Sequence, residues 1–396
     1  MKKILIINSG IGLGGVERSL ISFLWELDET KYGISLLLID KEGELYDSIP
    51  SYVKVLECPF KNYIQKLESQ DIKSIIIGLA RGKKLLRAFG LGIAFILMKL
   101  FNCDVKMADA LFEKTNDSEY DIILNYSGMS NYPHLLACYI FKGVSKYTWV
   151  HSEPNEHKSF FRRMLYRYKK YDGIFAVSNS CAEQLKSINP EVVDKIFVQY
   201  NVVSKKMCEY LALAGEGFKD EFDGIRILSV GRLSYEKGFD IALEAANILK
   251  ENGNNFRWYI VGDGSEKTKL SYMVEEKELS DYVYLLGSKT NPYRLYKECD
   301  IYVQPSRFEA YGITITEAKI FNRPVITTSF PGAYEQIQDG KNGLIVSTTP
   351  KDIANAIKRL LDDKNLRNRL GSKEGNNNCS ISVFEEIING REEARQ

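Results

Sequence analysis

The chain has 396 residues, 44% of them hydrophobic and 27% charged, with a formal net charge of +1. That composition excludes a disordered chain, the near-neutral balance gives no global case for nucleic acid, and the length favours two domains over a single core. The seven cysteines are scattered, with no Cys-x-x-Cys pair and no Cys/His cluster, which argues for reduced cytosolic thiols and against a disulfide framework or a zinc site.

The opening Met-Lys-Lys-Ile-Leu-Ile-Ile ends its apolar run at Ile7. That is too short for the core of a signal peptide and reads as a buried parallel strand. Strands are expected at 4–8 and 34–39, with a helix over 12–27 between them. Further strands are expected at 122–126, 147–151 and 173–177. The helix after the last of these should start at Ser178 or Asn179, both good N-caps. The longest uncharged apolar run, residues 88–98, has eleven residues. A spanning helix needs about 20, so no transmembrane helix is expected.

A second alternation begins at Arg226, with strands at 227–230, 257–261, 282–286, 301–303 and 324–327 and a helix over 238–252. Alternating strands and helices imply parallel sheets. Two such runs predict an α/β protein of two doubly wound, Rossmann-like domains facing a central cleft, residues 1–205 and 206–376. The polar stretch 215–223 is the best linker candidate. A turn at 376–378 precedes a last helix within 377–396, which can pack back on the first domain.

Gly10, Gly12 and Gly15 fit the pattern GxGxxG after a strand, and Asp40 stands near where a ribose-binding acid is expected. Residues 1–40 alone therefore admit an NAD-dependent enzyme. They equally admit a tight turn without a ligand, or a loop whose glycines let a sugar nucleotide or acceptor approach the backbone. Nothing after Asp40 supplies a recognisable dehydrogenase proton relay.

The second half carries its own anion site. Residues 230–238 read Val-Gly-Arg-Leu-Ser-Tyr-Glu-Lys-Gly and hold Arg232 and Lys237. Residues 304–318 read Gln-Pro-Ser-Arg-Phe-Glu-Ala-Tyr-Gly-Ile-Thr-Ile-Thr-Glu-Ala and hold Glu309 and Glu317. Gly312, Ile313 and Thr314 should open a helix whose free N–H groups receive a phosphate. Two cations stabilise the charge that grows on a departing diphosphate, and carboxylates accept hydrogen bonds from sugar hydroxyls. Bland readings exist for each: a solvated basic loop, an exposed loop acid, and a helix-dipole acid. As a set, the residues describe a site for a nucleotide-linked sugar, and hence a glycosyl transferase. No Asp-x-Asp triplet occurs, and no metal site and no separate cofactor is expected.

Residues 230–238, 261–264, 304–318 and 342–346 (Asn-Gly-Leu-Ile-Val) resemble the large family of retaining GT-B glycosyltransferases usually called family 4, the glycosyl transferases group 1. The resemblance is weakest over 60–120. It implies that Glu309 contacts the donor sugar, Glu317 the ribose, and Arg232 with Lys237 the diphosphate. It also implies that Gly14 and Gly15 form the N-terminal glycine loop and that His151, in Trp149-Val-His-Ser-Glu153, serves the transferred sugar. A packed structural histidine is the alternative for His151. Ala310-Tyr311 departs from the Gly-Phe of many relatives. The resemblance further implies retention of configuration, donor binding by the second domain and acceptor binding by the first.

The expected substrates are a nucleotide sugar, with UDP as the family-weighted nucleotide, and a glycan or lipid-linked saccharide acceptor in cell-surface polysaccharide synthesis. Residues 81–101 and 160–171 mix cations with aromatic and aliphatic residues. They suit either an anionic membrane surface or ordinary amphipathic helices with their apolar faces in the core. A cytoplasmic protein, peripheral at the inner face of the membrane, is expected. A GT-B epimerase or phosphorylase and a non-catalytic sugar-nucleotide binder are the competing readings.

Overall fold

The structure, a computed structural model, describes residues 1–59, 61, 64, 120–141, 143–371 and 380–393. The apolar run 88–98, the basic stretch 81–101 and the turn at 376–378 lie outside the described residues. Two compact units divide the chain: Met1–Gln199 with Ile381–Gln396, and Tyr200–Ser380.

The first unit contains β1 (Lys2–Asn8), α1 (Gly15–Glu26), β2 (Tyr32–Leu38), β3 (Lys54–Glu57), β4 (Tyr120–Asn125), α2 (Asn131–Leu135), β5 (Gly143–Val150), α3 (Lys158–Tyr168), β6 (Gly173–Ala176), α4 (Asn179–Ile188) and β7 (Ile196–Val198). All its described strands are parallel, in the order β3-β2-β1-β4-β5-β6-β7. Ile4 to Ile7 are fully buried, so both faces of β1 are covered, which is why this strand reads as a continuous apolar run. The N-cap of α4 is Ser178, whose hydroxyl accepts the Cys181 N–H at 3.0 Å. The C-terminal helix Ser382–Glu393 belongs to this unit. Its Phe384 ring lies 5.0 Å from Phe23 and 5.6 Å from Phe175, and burying such a ring is worth about 1.5–3 kcal/mol.

The second unit contains α5 (Lys205–Ala214), β8 (Ile225–Val230), α6 (Phe239–Glu251), β9 (Phe256–Val261), α7 (Lys267–Glu276), β10 (Val283–Leu285), α8 (Tyr293–Glu298), β11 (Ile301–Gln304), α9 (Ile313–Ile320), β12 (Val325–Thr328), α10 (Pro331–Gln336), β13 (Leu344–Val346), α11 (Pro350–Asp362) and α12 (Lys364–Gly371). Its sheet is again wholly parallel, in the order β10-β9-β8-β11-β12-β13. Each sheet thus reverses its winding once, between β1 and β4 and between β8 and β11. In open sheets of this kind the crevice for a ligand opens at the carboxyl ends of those two strands.

Two sequence expectations change. The stretch 215–223 is not a linker, because it lies inside the second unit. The Asp220 carboxylate accepts from Arg257 and from the Tyr259 hydroxyl, and the Phe218 ring sits 4.3 Å from Tyr259. Two phenylalanines among the charges give this segment something to pack with, and cations stack on them. The second change is the short strands β3, β7 and β13, which sequence periodicity does not reveal. Strand β3, at the sheet edge, has only partly buried or exposed residues and so lacks a pattern.

Candidate active site

In the second unit, β8 ends at Val230 and the chain turns through Gly231, Arg232 and the short helical turn Tyr235–Lys237 into α6. Arg232 is exposed. Gly238 permits the turn: its φ is +67°, and a Cβ there would stand 2.1 Å from the Pro305 carbonyl oxygen. The loop after β8 therefore lies directly on the loop after β11. Arg307 fastens the two together. Its N–H donates to the Glu236 carbonyl at 2.7 Å, and its guanidinium grips Asp240 with two bonds of 2.8 Å. Burial alone would raise the Asp240 pKa, but the Arg307 hydrogen bonds and charge hold this carboxyl below the ordinary aspartate range.

This docking brings Lys237 and Glu309 into contact. The Lys237 ammonium donates to Glu309 Oε1, and the two side chains are 21% and 12% exposed. The same oxygen accepts from Gln304 Nε2 at 3.1 Å and from the Ser306 hydroxyl at 3.2 Å. A residue expected on phosphate and a residue expected on sugar are thus joined before either meets a ligand.

Helix α9 begins at Ile313, with Gly312 as N-cap at φ +84° and no side chain capping it. Its first-turn N–H groups, including those of Ile313 and Thr314, are therefore left without a side-chain cap beside Glu309. Gln336 fixes the entry into α9, donating to the Tyr311 carbonyl and accepting from Thr316 at 2.7 Å.

Glu317 lies one turn further on and is 2% exposed. Tyr293 donates to its Oε1 at 3.0 Å and Tyr296 to its Oε2 at 2.8 Å. Both tyrosines stand on α8. Glu317 is therefore a buried carboxylate satisfied by phenols, not an acid standing open in the crevice.

In the first unit, the loop after β1 is pinned by its neighbours. Ser9 N–H donates to Ser127 Oγ at 3.1 Å, and Leu45 N–H to the Ile11 carbonyl at 3.1 Å. Gly14 is the N-cap of α1 and Gly15 its first residue. A Cβ on Gly14 would stand 2.0 Å from Glu17 Oε2, so the α1 N-terminus is covered by a carboxylate of its own. Asp40 is also engaged: Lys61 donates to it at 2.9 Å and Glu42 N–H at 3.2 Å, and the Lys61 hydrogen bond chiefly holds its carboxyl below the usual range. Both features that admitted a dinucleotide reading of residues 1–40 are thus engaged within the chain itself.

His151 follows β5, with its ring 4.8 Å from Tyr126 and stacked on Trp149 at 6.2 Å. In α3, Phe161, Met164 and Tyr168 are buried, whereas Lys158, Arg162 and Arg163 are exposed. The apolar face of this helix is core, as the amphipathic reading has it. Among the described residues, no helix is long and apolar enough to cross a membrane.

Sequence reading missed Gln304, Ser306, Arg307, Tyr293 and Tyr296. A polar residue ending an apolar strand was the available signal for Gln304. The tyrosines offered only their spacing of three on a helix.

Comparison with known proteins gives the class. Residues 219–376 match the family described as Glycosyl transferases group 1, so the second unit carries a glycosyl transferases group 1 domain. The chain is 26% identical over 313 residues to a poly(ribitol-phosphate) alpha-N-acetylglucosaminyltransferase of Staphylococcus aureus, covering 76% of this chain and 60% of that protein. It is also 26% identical over 382 residues, 94% of each chain, to a Campylobacter jejuni enzyme that adds alpha-N-acetylgalactosamine to a diphospho-undecaprenol-linked saccharide. Among solved structures, S. aureus TarM with UDP superposes with a TM-score of 0.71 at 16% identity, over 98% of this chain and 100% of that one. Anabaena HepE with UDP-glucose gives 0.66 at 17% identity, over 100% and 99%. These neighbours establish the fold as GT-B.

Proposed function

We propose that this protein is a retaining glycosyltransferase. It would move a hexose or N-acetylhexosamine from a UDP-sugar to a glycan or lipid-linked acceptor in cell-surface polysaccharide synthesis. The observation that carries the reading is the meeting of Lys237 and Glu309 at the β8/β11 crevice, beside the side-chain-uncapped N-terminus of α9. UDP and UDP-glucose in TarM and HepE support the choice of nucleotide. The polymeric and lipid-linked acceptors in the relatives' names support the acceptor class, and their alpha linkages fit retention from an alpha-linked donor.

In this reading the diphosphate takes the charge of Arg232, Lys237 and the N–H groups of Ile313 and Thr314, with Gly312 leaving the approach open. As the bond to the sugar breaks, negative charge grows on the phosphate, and these groups stabilise it more than they stabilise the bound donor. Glu309 accepts a hydroxyl of the sugar. Glu317 is the residue this reading assigns to the ribose. The acceptor attacks the face that the phosphate leaves, and that phosphate takes the acceptor proton. His151, Gly14 and Gly15 are the first-unit residues this reading assigns to the transferred sugar and the glycine loop. The exposed cations of α3 give a cytoplasmic, peripheral protein a means of holding an anionic membrane surface.

A thermal-shift panel of UDP-, GDP- and ADP-sugars, followed by a transfer assay with the best stabiliser, tests the reading. Selective stabilisation by UDP-sugars is expected, and turnover should follow. No shift with any member of the panel would end it. Sedimentation with anionic vesicles tests the membrane contact; a protein left wholly in the supernatant removes it.

A further inference from the structure

We propose that Gln304 is a positioning residue that holds Glu309 in its working orientation after Lys237 has turned to the diphosphate. The inference rests on the donor-site reading above and adds a residue that neither the family pattern nor the cation pair supplied.

Gln304 is the last residue of β11 and is 1% exposed. Its Oε1 accepts from the Tyr302 hydroxyl at 2.6 Å and from the Thr314 hydroxyl at 2.8 Å. Its Nε2 donates to the Ser306 hydroxyl at 2.7 Å and to Glu309 Oε1 at 3.1 Å. All four hydrogen-bonding positions of the carboxamide are filled. The orientation of the amide is not arbitrary, since an ionised Glu309 can only accept and the NH₂ must face it. Ser306 passes the bond on, donating to the same carboxylate oxygen at 3.2 Å.

The placement explains the need. One carboxamide joins the sugar acid to Thr314, in the first turn of the helix that receives phosphate. The Tyr302 hydroxyl oxygen also lies 3.4 Å from the Val230 carbonyl, at the end of the strand that leads to Arg232. Glu309 Oε1 has three donors, of which only Lys237 is charged. A bound diphosphate competes for Lys237. It does not attract Gln304 and Ser306 in the same way, because both are neutral and buried. They keep Oε1 anchored, and Oε2, which has no hydrogen bond among the described residues, is left for the sugar. An acid that swung by an ångström on losing its lysine would lose much of its effect on rate.

Gln304→Glu is the discriminating variant. It keeps the acceptor arm to Tyr302 and Thr314, removes the donor arm, and sets a like charge beside Glu309. Turnover is measured with UDP-N-acetylglucosamine or UDP-glucose, whichever the enzyme uses, and free UDP affinity is measured alongside. The donor kcat/KM should fall by about tenfold to a hundredfold, with UDP affinity changed less than about twofold. In a Glu309→Gln background the same change should cost less than about twofold, because residues acting through one another are not additive. Equal losses in both backgrounds, or a matching loss of UDP affinity, would overturn the proposal. If Gln304→Glu does not fold, Gln304→Met carries the same cycle without the charge. Glu309→Gln without effect on turnover would instead sink the donor-site reading itself.

Discussion

Lys237 and Glu309 form an ion pair that joins the loop after β8 to the loop after β11. The two residues lie 72 positions apart in the chain, and each was expected to face a different part of the donor. Their contact means that the ligand-free site is internally neutralised at its centre. A diphosphate has to offer Lys237 a better partner than Glu309, while Arg232 on the surface of the same loop remains available to it from the start.

Neutralising both cations tests the charge argument directly. Arg232→Ala with Lys237→Met should lower transfer by at least a hundredfold, the scale on which single preorganised charge-stabilising groups act. Lys237→Met alone should also cost about 1–3 kcal/mol of stability, because it leaves a largely buried Glu309 with neutral donors only. Undiminished turnover by a folded double variant would contradict the proposed role.

The tyrosine pair on Glu317 gives a stability prediction. Tyr293→Phe and Tyr296→Phe each remove one hydroxyl donor from a carboxylate that is 2% exposed. Each should cost about 1.5–3 kcal/mol, the range for hydrogen bonds to charged groups. Urea titration of the single and double variants measures it. Midpoints equal to that of the parent protein would show that water reaches Glu317 in place of the phenols.

Two glycines separate backbone strain from collision. Gly312→Ala forces a side chain into φ +84°, with Phe330 3.3 Å from the new Cβ, and should cost about 1–2 kcal/mol. Gly238→Ala adds a collision with the Pro305 carbonyl, which as backbone cannot step aside, and should cost more. Thermal unfolding of the two variants should rank them in that order, and UDP affinity should fall for both.

His134 sets an acid limit on the first unit. It is fully buried, with Nδ1 2.8 Å from the Tyr171 hydroxyl and Nε2 3.2 Å from the Gly128 carbonyl. Burial, with the Arg167 charge adding to it, pushes its pKa down from 6.5 to about 3. A depressed folded pKa means that the full stability is present above about pH 6.5, where the unfolded histidine is neutral too. As pH falls from there towards about 3, the unfolded chain takes a proton that the folded one refuses, and stability drops by up to about 1.4 kcal/mol per pH unit. His134→Gln should flatten the fall of the urea midpoint between pH 7 and pH 5. Identical slopes for parent and variant would place the acid sensitivity elsewhere.

With two cations and a helix N-terminus proposed for the diphosphate, turnover should survive EDTA. Activity abolished by the chelator and restored by manganese would require another account of how the leaving charge is stabilised.

Much of this was legible in the linear chain. Apolar runs marked the central strands of both sheets, because parallel strands covered on both faces need no alternation. Ser178 announced the start of α4, and Gly312 the start of α9. Other features left no such trace. The segment 215–223 looked like a linker because its charges outnumber its two phenylalanines. Glu317 was read as a ribose acid or a helix-dipole acid because nothing local says that Tyr293 and Tyr296 will come to it. Gln304 was passed over because a glutamine closing a strand is ordinary until its four partners are known.

The sequence by itself determined the α/β class and the two doubly wound halves. These follow from periodicity and turn residues within about twenty positions of one another, where chain geometry alone limits what can happen. Only the tertiary structure decided that Lys237 meets Glu309, that Glu317 is roofed by phenols, and that Asp40 is held by Lys61. Those pairings depend on which loops the parallel sheets bring side by side. A strand crossover can join residues seventy positions apart as closely as neighbours, and nothing in the local chain records which ones.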